Sequence, residues 1–217
     1  MSVYRIIDTH DDLSEGTTAL EAACPHMRTV LAATGQPPLR RRANGFAGLA
    51  RIIVGQQLSV ASASAIWRRL EEAVSPFDPD GVLRKRDSTL RRCGLSAGKI
   101  STITGIARAI KEDDLDLAAL ARAADDDIRG QLTALKGVGP WTADIYIMFC
   151  LGRADAWAPG DLALRHAVAD VTRREDLPDF AEMDEIAEVW RPWRGVAARA
   201  LWAYYALRRT TKDAVPV

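Results

Sequence analysis

The chain has 217 residues, 48% of them apolar and 27% charged, enough for a sizeable core in one large domain or two small ones. Its 29 basic and 29 acidic residues cancel, which excludes a uniformly cationic nucleic-acid coat but leaves room for local phosphate-binding patches. No stretch resembles a signal peptide or an apolar span of membrane length, and the scattered Cys24, Cys93 and Cys150, with His10, His26 and His166, form neither a disulfide framework nor a metal-spaced set.

In chain order, residues 1–10 read as a short extended lead and Leu13 to Thr34 as helix interrupted near Pro25. Gly35-Gln36-Pro37-Pro38 breaks the chain and marks a subdomain boundary. Arg40-Arg41-Arg42 is either a solvated charge run or a DNA-backbone contact. Phe46, Leu49, Ile52 and Ile53 recur at helical spacing over Gly45 to Val54. Gly55-Gln56-Gln57-Leu58-Ser59 interrupts, and Ser59 is placed to cap a helix over Val60 to Val74. Short helices fill Asp78 to Arg92, with basic clusters at Arg84-Lys85-Arg86 and Arg91-Arg92. After the Cys93-Gly94-Leu95-Ser96 turn, Ile100, Ile103, Ile106, Ala107 and Ile110 form one apolar stripe on a helix to Lys111. Asp113-Asp114 and Asp125-Asp126-Asp127 read as solvated helix starts, favourable at the positive end of the dipole.

Leu132 to Asp161 organises the rest. Leu132 and Leu135 sit three apart, as on a last helical turn, and Lys136-Gly137-Val138-Gly139 is a tight turn. Gly137 and Gly139 are both free to take φ > 0, and Val138 can anchor the turn in the core. Pro140 suits a first helical position, and Trp141 to Cys150 reads as a buried helix. The turn therefore delivers backbone N–H groups at a helix start, a natural seat for a phosphate. Ala158-Pro159-Gly160-Asp161 is a return loop, with Asp161 at the start of a helix over Leu162 to Val171; an aspartate there is most simply an N-cap. An acidic loop runs to Pro178. Glu182 to Val189 is helical, Trp190-Arg191-Pro192-Trp193-Arg194 follows, Gly195 to Leu207 is an apolar helix, and Arg208 to Val217 is a loose tail. No strand alternation persists, so the fold class is all-α.

The hairpin, the Pro-Gly-Asp loop 24 residues after Gly137 (161 − 137), the Gln-Gln segment, the Gly94-Leu95-Ser96-x-x-Lys99 approach and Trp190-x-Pro192-Trp193-Arg194 with Trp202 resemble the helix-hairpin-helix DNA glycosylases. Within them the likeness is to the alkylpurine branch, of the 3-methyladenine DNA glycosylase II type, over about Phe46 to Leu207. The resemblance implies two helical subdomains with a cleft between them, in the compact form without an N-terminal β domain. Residues 1–36 would pack with the C-terminal subdomain, 37–131 would form a helical barrel, and 132–217 would hold the hairpin, the catalytic loop and the last helices.

It also implies roles. Asp161 would be the catalytic carboxylate, supplying the negative charge that an oxocarbenium-like sugar needs. Trp141 and Trp202 would line the base pocket and stack on a cationic base. Where a relative has a pocket tyrosine this chain has Ile145, with Tyr146 beside it, so the pocket is reshaped. Gln57, with Gln56, would wedge into the duplex as the base leaves; the plainer alternative is that both glutamines satisfy backbone groups at a helix end. Lys136, Gly137, Val138 and Gly139 would hold a DNA phosphate. A monovalent cation, Na or K, would be bound by the carbonyls of Thr133, Leu135 and Val138. The four clustered cysteines of iron–sulfur members are missing, so no cluster and no required cofactor is expected. Trp141 stands where strand-cutting members carry a Schiff-base lysine, so the implied enzyme is monofunctional and leaves an abasic site. The expected partner is damaged duplex DNA, met by a monomer with no membrane attachment, in the cytoplasm and nucleoid of a bacterium. Two alternatives stay open: a glycosylase for uracil or an oxidised purine, and a non-catalytic DNA-binding helix-hairpin-helix protein.

Overall fold

The computed structural model describes residues 4–213. Among them, thirteen α-helices follow one another: α1 (His10–Ala23), α2 (Pro25–Thr34), α3 (Phe46–Gly55), α4 (Val60–Ala73), α5 (Pro79–Leu83), α6 (Asp87–Arg92), α7 (Ala97–Lys111), α8 (Leu117–Leu120), α9 (Asp125–Thr133), α10 (Pro140–Phe149), α11 (Leu162–Thr172), α12 (Phe180–Ala187) and α13 (Arg194–Asp213). The described residues contain no strand beyond a single antiparallel bridge, Ile6 to Arg153. The expected all-α class is the observed one. No helix among them is long and apolar enough to cross a membrane.

The chain divides into two compact units, one made of residues 1–41 with 152–217 and the other of 42–151. This differs from the three-part division read from the sequence. The hairpin belongs with the middle of the chain, because α10 packs on α3 and α9. Continuity along a sequence does not reveal which neighbours a helix buries itself against.

The first unit joins the two ends of the chain. Thr9 caps α1 through a reciprocal box with Asp12, so two otherwise unpaired helix-start donors are satisfied. The extended lead is tied down by Ile7 N–H donating to the Gly152 carbonyl at 2.7 Å and Ala154 N–H to the Arg5 carbonyl at 2.9 Å; residues 1–3 lie outside the described residues. α13 packs on α1, α2 and α11; Val196, Ala197, Ala200 and Leu201 of α13 are buried, as are Leu13, Met27, Leu164 and Val168 of the helices it meets. Gly16 lets α1 approach Trp193: a Cβ there would lie 2.8 Å from the indole ring. Trp157 and Trp190 meet edge to face at 5.4 Å and are core residues, as is Trp193. The expected loose tail is helical as far as Asp213, because α13 simply continues; residues 214–217 lie outside the described residues.

In the second unit α3 is apolar on nearly every side, with Phe46, Leu49, Ala50, Ile52, Ile53 and Val54 buried, and α4, α7 and α10 pack round it. Ser59 and Ser96 cap α4 and α7 as their positions suggest. Asp113-Asp114 is not a helix start. It follows the end of α7, with Asp113 at φ +61°, and the cap of the next helix is Asp116, which accepts from Ala118 and Ala119 N–H. Within the arginine triplet Arg40 and Arg42 are exposed and Arg41 is half-buried. Arg41 pairs with Asp8 at 2.7 Å in the first unit, and Arg42 lies over the Phe149 ring in the second.

Candidate active site

In the second unit α9, the turn and α10 form the helix-hairpin-helix. Val138 N–H donates to the Leu135 carbonyl at 3.1 Å, closing the turn, and the Val138 side chain is buried as its anchor. Gly137 has φ +86°, and a Cβ on it would collide with the Thr102 hydroxyl on α7, so only glycine fits. Gly139 corrects the sequence expectation: at φ −96° it needs no left-handed freedom, and nothing lies within 4 Å of where a Cβ would stand. It is the N-cap of α10 and carries no side chain to satisfy the first-turn amides, an arrangement suited to an anion. Pro140 takes the first helical position. Lys136 is exposed beside the turn. The two helices are locked by Arg129 Nε on Asp144 Oδ1 at 2.8 Å, with the Asp144 carboxylate almost wholly buried.

Trp141 is half-buried in the first turn of α10, whereas Ile145 is 4% exposed and Tyr146 fully buried. The Tyr146 hydroxyl donates to Asn44 Oδ1 at 2.6 Å and accepts from Gly45 N–H, and burial pushes its pKa up to about 12. Tyr146 therefore braces the start of α3 and does not stand in for a pocket tyrosine.

Gln57 is exposed, with φ +55°. Gln56 does not serve a helix end with its side chain: its amide donates to the Thr142 hydroxyl on α10 at 2.8 Å. Lys99, which the sequence offered only as part of a resemblance, donates to the carbonyls of Val54 and Gln56, each at 2.8 Å. Nothing local signals these bonds, since their partners are more than forty residues away.

The three hairpin carbonyls proposed for a cation lie at the C-terminal end of α9 and in the turn, where a helix leaves carbonyls without intrahelical donors and its dipole is negative. Neutral oxygen donors suit a hard cation, and Leu135 keeps one lone pair beyond its bond to Val138 N–H. Among the described residues, no group of three or more histidine, cysteine, aspartate and glutamate side chains is arranged to hold a metal.

The first unit holds the carboxylate. Asp161 N–H donates to the Ala158 carbonyl at 3.0 Å, closing the Pro-Gly loop and delivering the residue to the N-cap of α11. Its Oδ1 accepts from Leu164 N–H at 3.0 Å and from the Trp202 indole N–H at 3.0 Å, with 9% of the residue exposed. The N-cap is therefore real, and it fixes the carboxylate at the positive end of a helix dipole. The Trp202 bond joins α13 to that cap. Stacking, the role expected of Trp202, gave no hint of it.

A buried, oriented carboxylate on a Pro-Gly loop and a glycine hairpin in one all-α chain define a helix-hairpin-helix base-excision architecture. The model of the HhH-GPD superfamily base excision DNA repair protein matches residues 50–192, and the chain belongs to that superfamily. It is 30% identical over 172 residues to DNA-3-methyladenine glycosylase 1 of Schizosaccharomyces pombe, covering 77% of this chain and 75% of that one. The fold matches the S. pombe 3-methyladenine DNA glycosylase solved in complex with abasic DNA at a TM-score of 0.80 and 25% identity, over 87% of this chain and 95% of that one. It also matches a DNA-3-methyladenine glycosidase from Bacillus halodurans at a TM-score of 0.77 and 28% identity, over 96% and 94%.

Proposed function

We propose that the protein is a monofunctional DNA glycosylase that rotates alkylated purines of the 3-methyladenine and 7-methylguanine type out of duplex DNA and hydrolyses their N-glycosidic bond. The observation that carries the chemistry is Asp161, held by one oxygen between Leu164 N–H and the Trp202 indole at a helix start. The base departs with the bonding electron pair and leaves an oxocarbenium-like sugar, whose charge the carboxylate stabilises. Asp161 also orients the attacking water and draws off its proton as oxygen bonds to the sugar carbon. An alkylated purine is cationic and leaves as a neutral base, so no strong general acid is called for.

The other residues serve recognition. Lys136 and the backbone N–H groups of Gly137 and Gly139 hold a phosphate, with Val138 anchoring the turn that presents them, and Gln57 enters the duplex where the base departs. Trp141 in one unit and Trp202 in the other are each read as an aromatic face for a cationic base, while Ile145, read from the sequence as a pocket residue, is buried in the core. The carbonyls of Thr133, Leu135 and Val138 would hold a monovalent cation, whose charge favours an approaching phosphate. With tryptophan at position 141, no amine stands where a Schiff base would form, and the product is an abasic site from which a monomer dissociates.

Base release from duplexes each carrying one defined lesion tests this. Release of 3-methyladenine and 7-methylguanine is expected, with strand breaks only after hot alkali and no adduct trapped by borohydride. Release confined to uracil or 8-oxoguanine would reassign the substrate class, and duplex binding without any release would remove the enzyme reading.

A further inference from the structure

Lys99 occupies the third position of α7, a first turn where a cation opposes the helix dipole, and its own N–H serves the Ser96 cap. Burial lowers its pKa from the ordinary lysine value. Both facts make the placement unfavourable by local rules, and such violations mark positions with another task. The compensation is specific. The ammonium meets the C-terminal end of α3, where the dipole is negative, and grips the carbonyls of Val54 and Gln56, each at 2.8 Å.

Those two carbonyls flank Gly55 and end one residue before Gln57. The Gln56 side chain is anchored to Thr142 at 2.8 Å, and on the other side Ser59 is fixed as the cap of α4. Gln57 thus projects, exposed, from a span pinned at both ends, in a left-handed conformation uncommon for a non-glycine residue. Left without these bonds, the span is free to relax to φ < 0 and turn the side chain elsewhere.

We propose that Lys99, with Thr142, is a positioning residue that holds the span from Gly55 to Ser59 rigid and aims Gln57 at the duplex. The inference rests on the reading of Gln57 as the wedge. Lys99 touches neither base nor sugar in this role; it acts by keeping Gln57 preorganised.

The test is single-turnover release of 7-methylguanine from two duplexes, one with the lesion opposite cytosine and one with it opposite a mismatched thymine, where extrusion is easier. Lys99→Met is expected to lose roughly 10-fold opposite cytosine, the scale of a lost bond to a charged group. Opposite thymine it should lose no more than about 2–3-fold, because less extrusion work is left for the wedge. Lys99→Arg should recover most of the rate. Adding Lys99→Met to Gln57→Ala should cost nothing further opposite cytosine. Should Lys99→Met fail to fold, Thr142→Val, which releases Gln56 with the lysine in place, carries the same contrast. An equal loss on both duplexes, or a full additional loss in the Gln57→Ala background, would overturn the proposal. Full-rate Lys99→Met beside slow Gln57→Ala would overturn it and leave the wedge standing. Full-rate Gln57→Ala beside slow Lys99→Met would remove the wedge and this role together.

Discussion

The two units present their functional groups in opposite ways. In the unit formed by the chain ends, the group proposed to act on the sugar is a side chain, Asp161, held by a backbone amide and an indole. In the unit of residues 42–151 the proposed groups depend on backbone shape: the turn of Gly137 to Gly139 and the bent Gly55 to Ser59 span that carries Gln57, each braced by side chains given no part in the chemistry. A side-chain site is broken by changing a functional group at constant shape. A backbone site is broken by changing shape, whatever the functional group.

The largest effect is expected at constant shape. Asp161→Asn keeps the N-cap, since asparagine caps as well as aspartate, and removes only the charge. Excision should fall on the order of 100-fold or more, as when other transition-state stabilisers are deleted, with the melting temperature and duplex binding kept. Near-normal excision would show that the carboxylate is only a cap.

A change of shape should come next. Gly137→Val forces a β-branched residue to φ +86° and drives its Cβ into Thr102. Binding to every duplex, damaged or not, should weaken by about 10-fold or more, because phosphate contacts carry no sequence information, and the loss should shrink at high salt. Gly139→Ala sharpens the point: position 139 is open at ordinary φ, so the fold should be unaffected and any loss of binding reports DNA lying against that position. A Gly137→Val variant that loses one lesion and binds undamaged DNA normally would move the hairpin from backbone to base recognition.

The smallest effect asked for separates the two uses of Trp202. Trp202→Phe keeps an aromatic face and deletes the N–H that reaches Asp161. A loss of roughly 10-fold, equal for cationic and neutral lesions, is expected if the bond to the carboxylate dominates, that being the scale of a charge-assisted hydrogen bond. A loss concentrated on cationic lesions would return Trp202 to stacking alone.

How much was legible follows the same division. The stripes of α3 and α7, the Ser59 and Ser96 caps, the proline at the start of α10 and the Pro-Gly-Asp loop are written within a few residues of one another, and each appears where its local physics puts it. What escaped is tertiary. Trp202 reaches Asp161 across 41 residues, Lys99 reaches Gln56 across 43 and Tyr146 reaches Asn44 across 102. The conformations of Gly137 and Gly139 were indistinguishable as letters; only the approach of α7 makes one indispensable and leaves the other open. Asp113-Asp114 misled because acidic pairs favour helix starts yet are equally at ease in the solvated turn after a helix.

The division of the chain also sets an order of assembly. Residues 42–151 are contiguous, so every contact of that unit is available once Leu151 has been synthesised. The other unit waits for α13, because the indole that secures Asp161 is carried there. At ~5–20 residues per second, translation of the intervening segment takes seconds, long compared with the folding of a small helical domain. On the ribosome, then, every residue of the hairpin's unit is in place while the Asp161 carboxylate has yet to meet the indole that secures it.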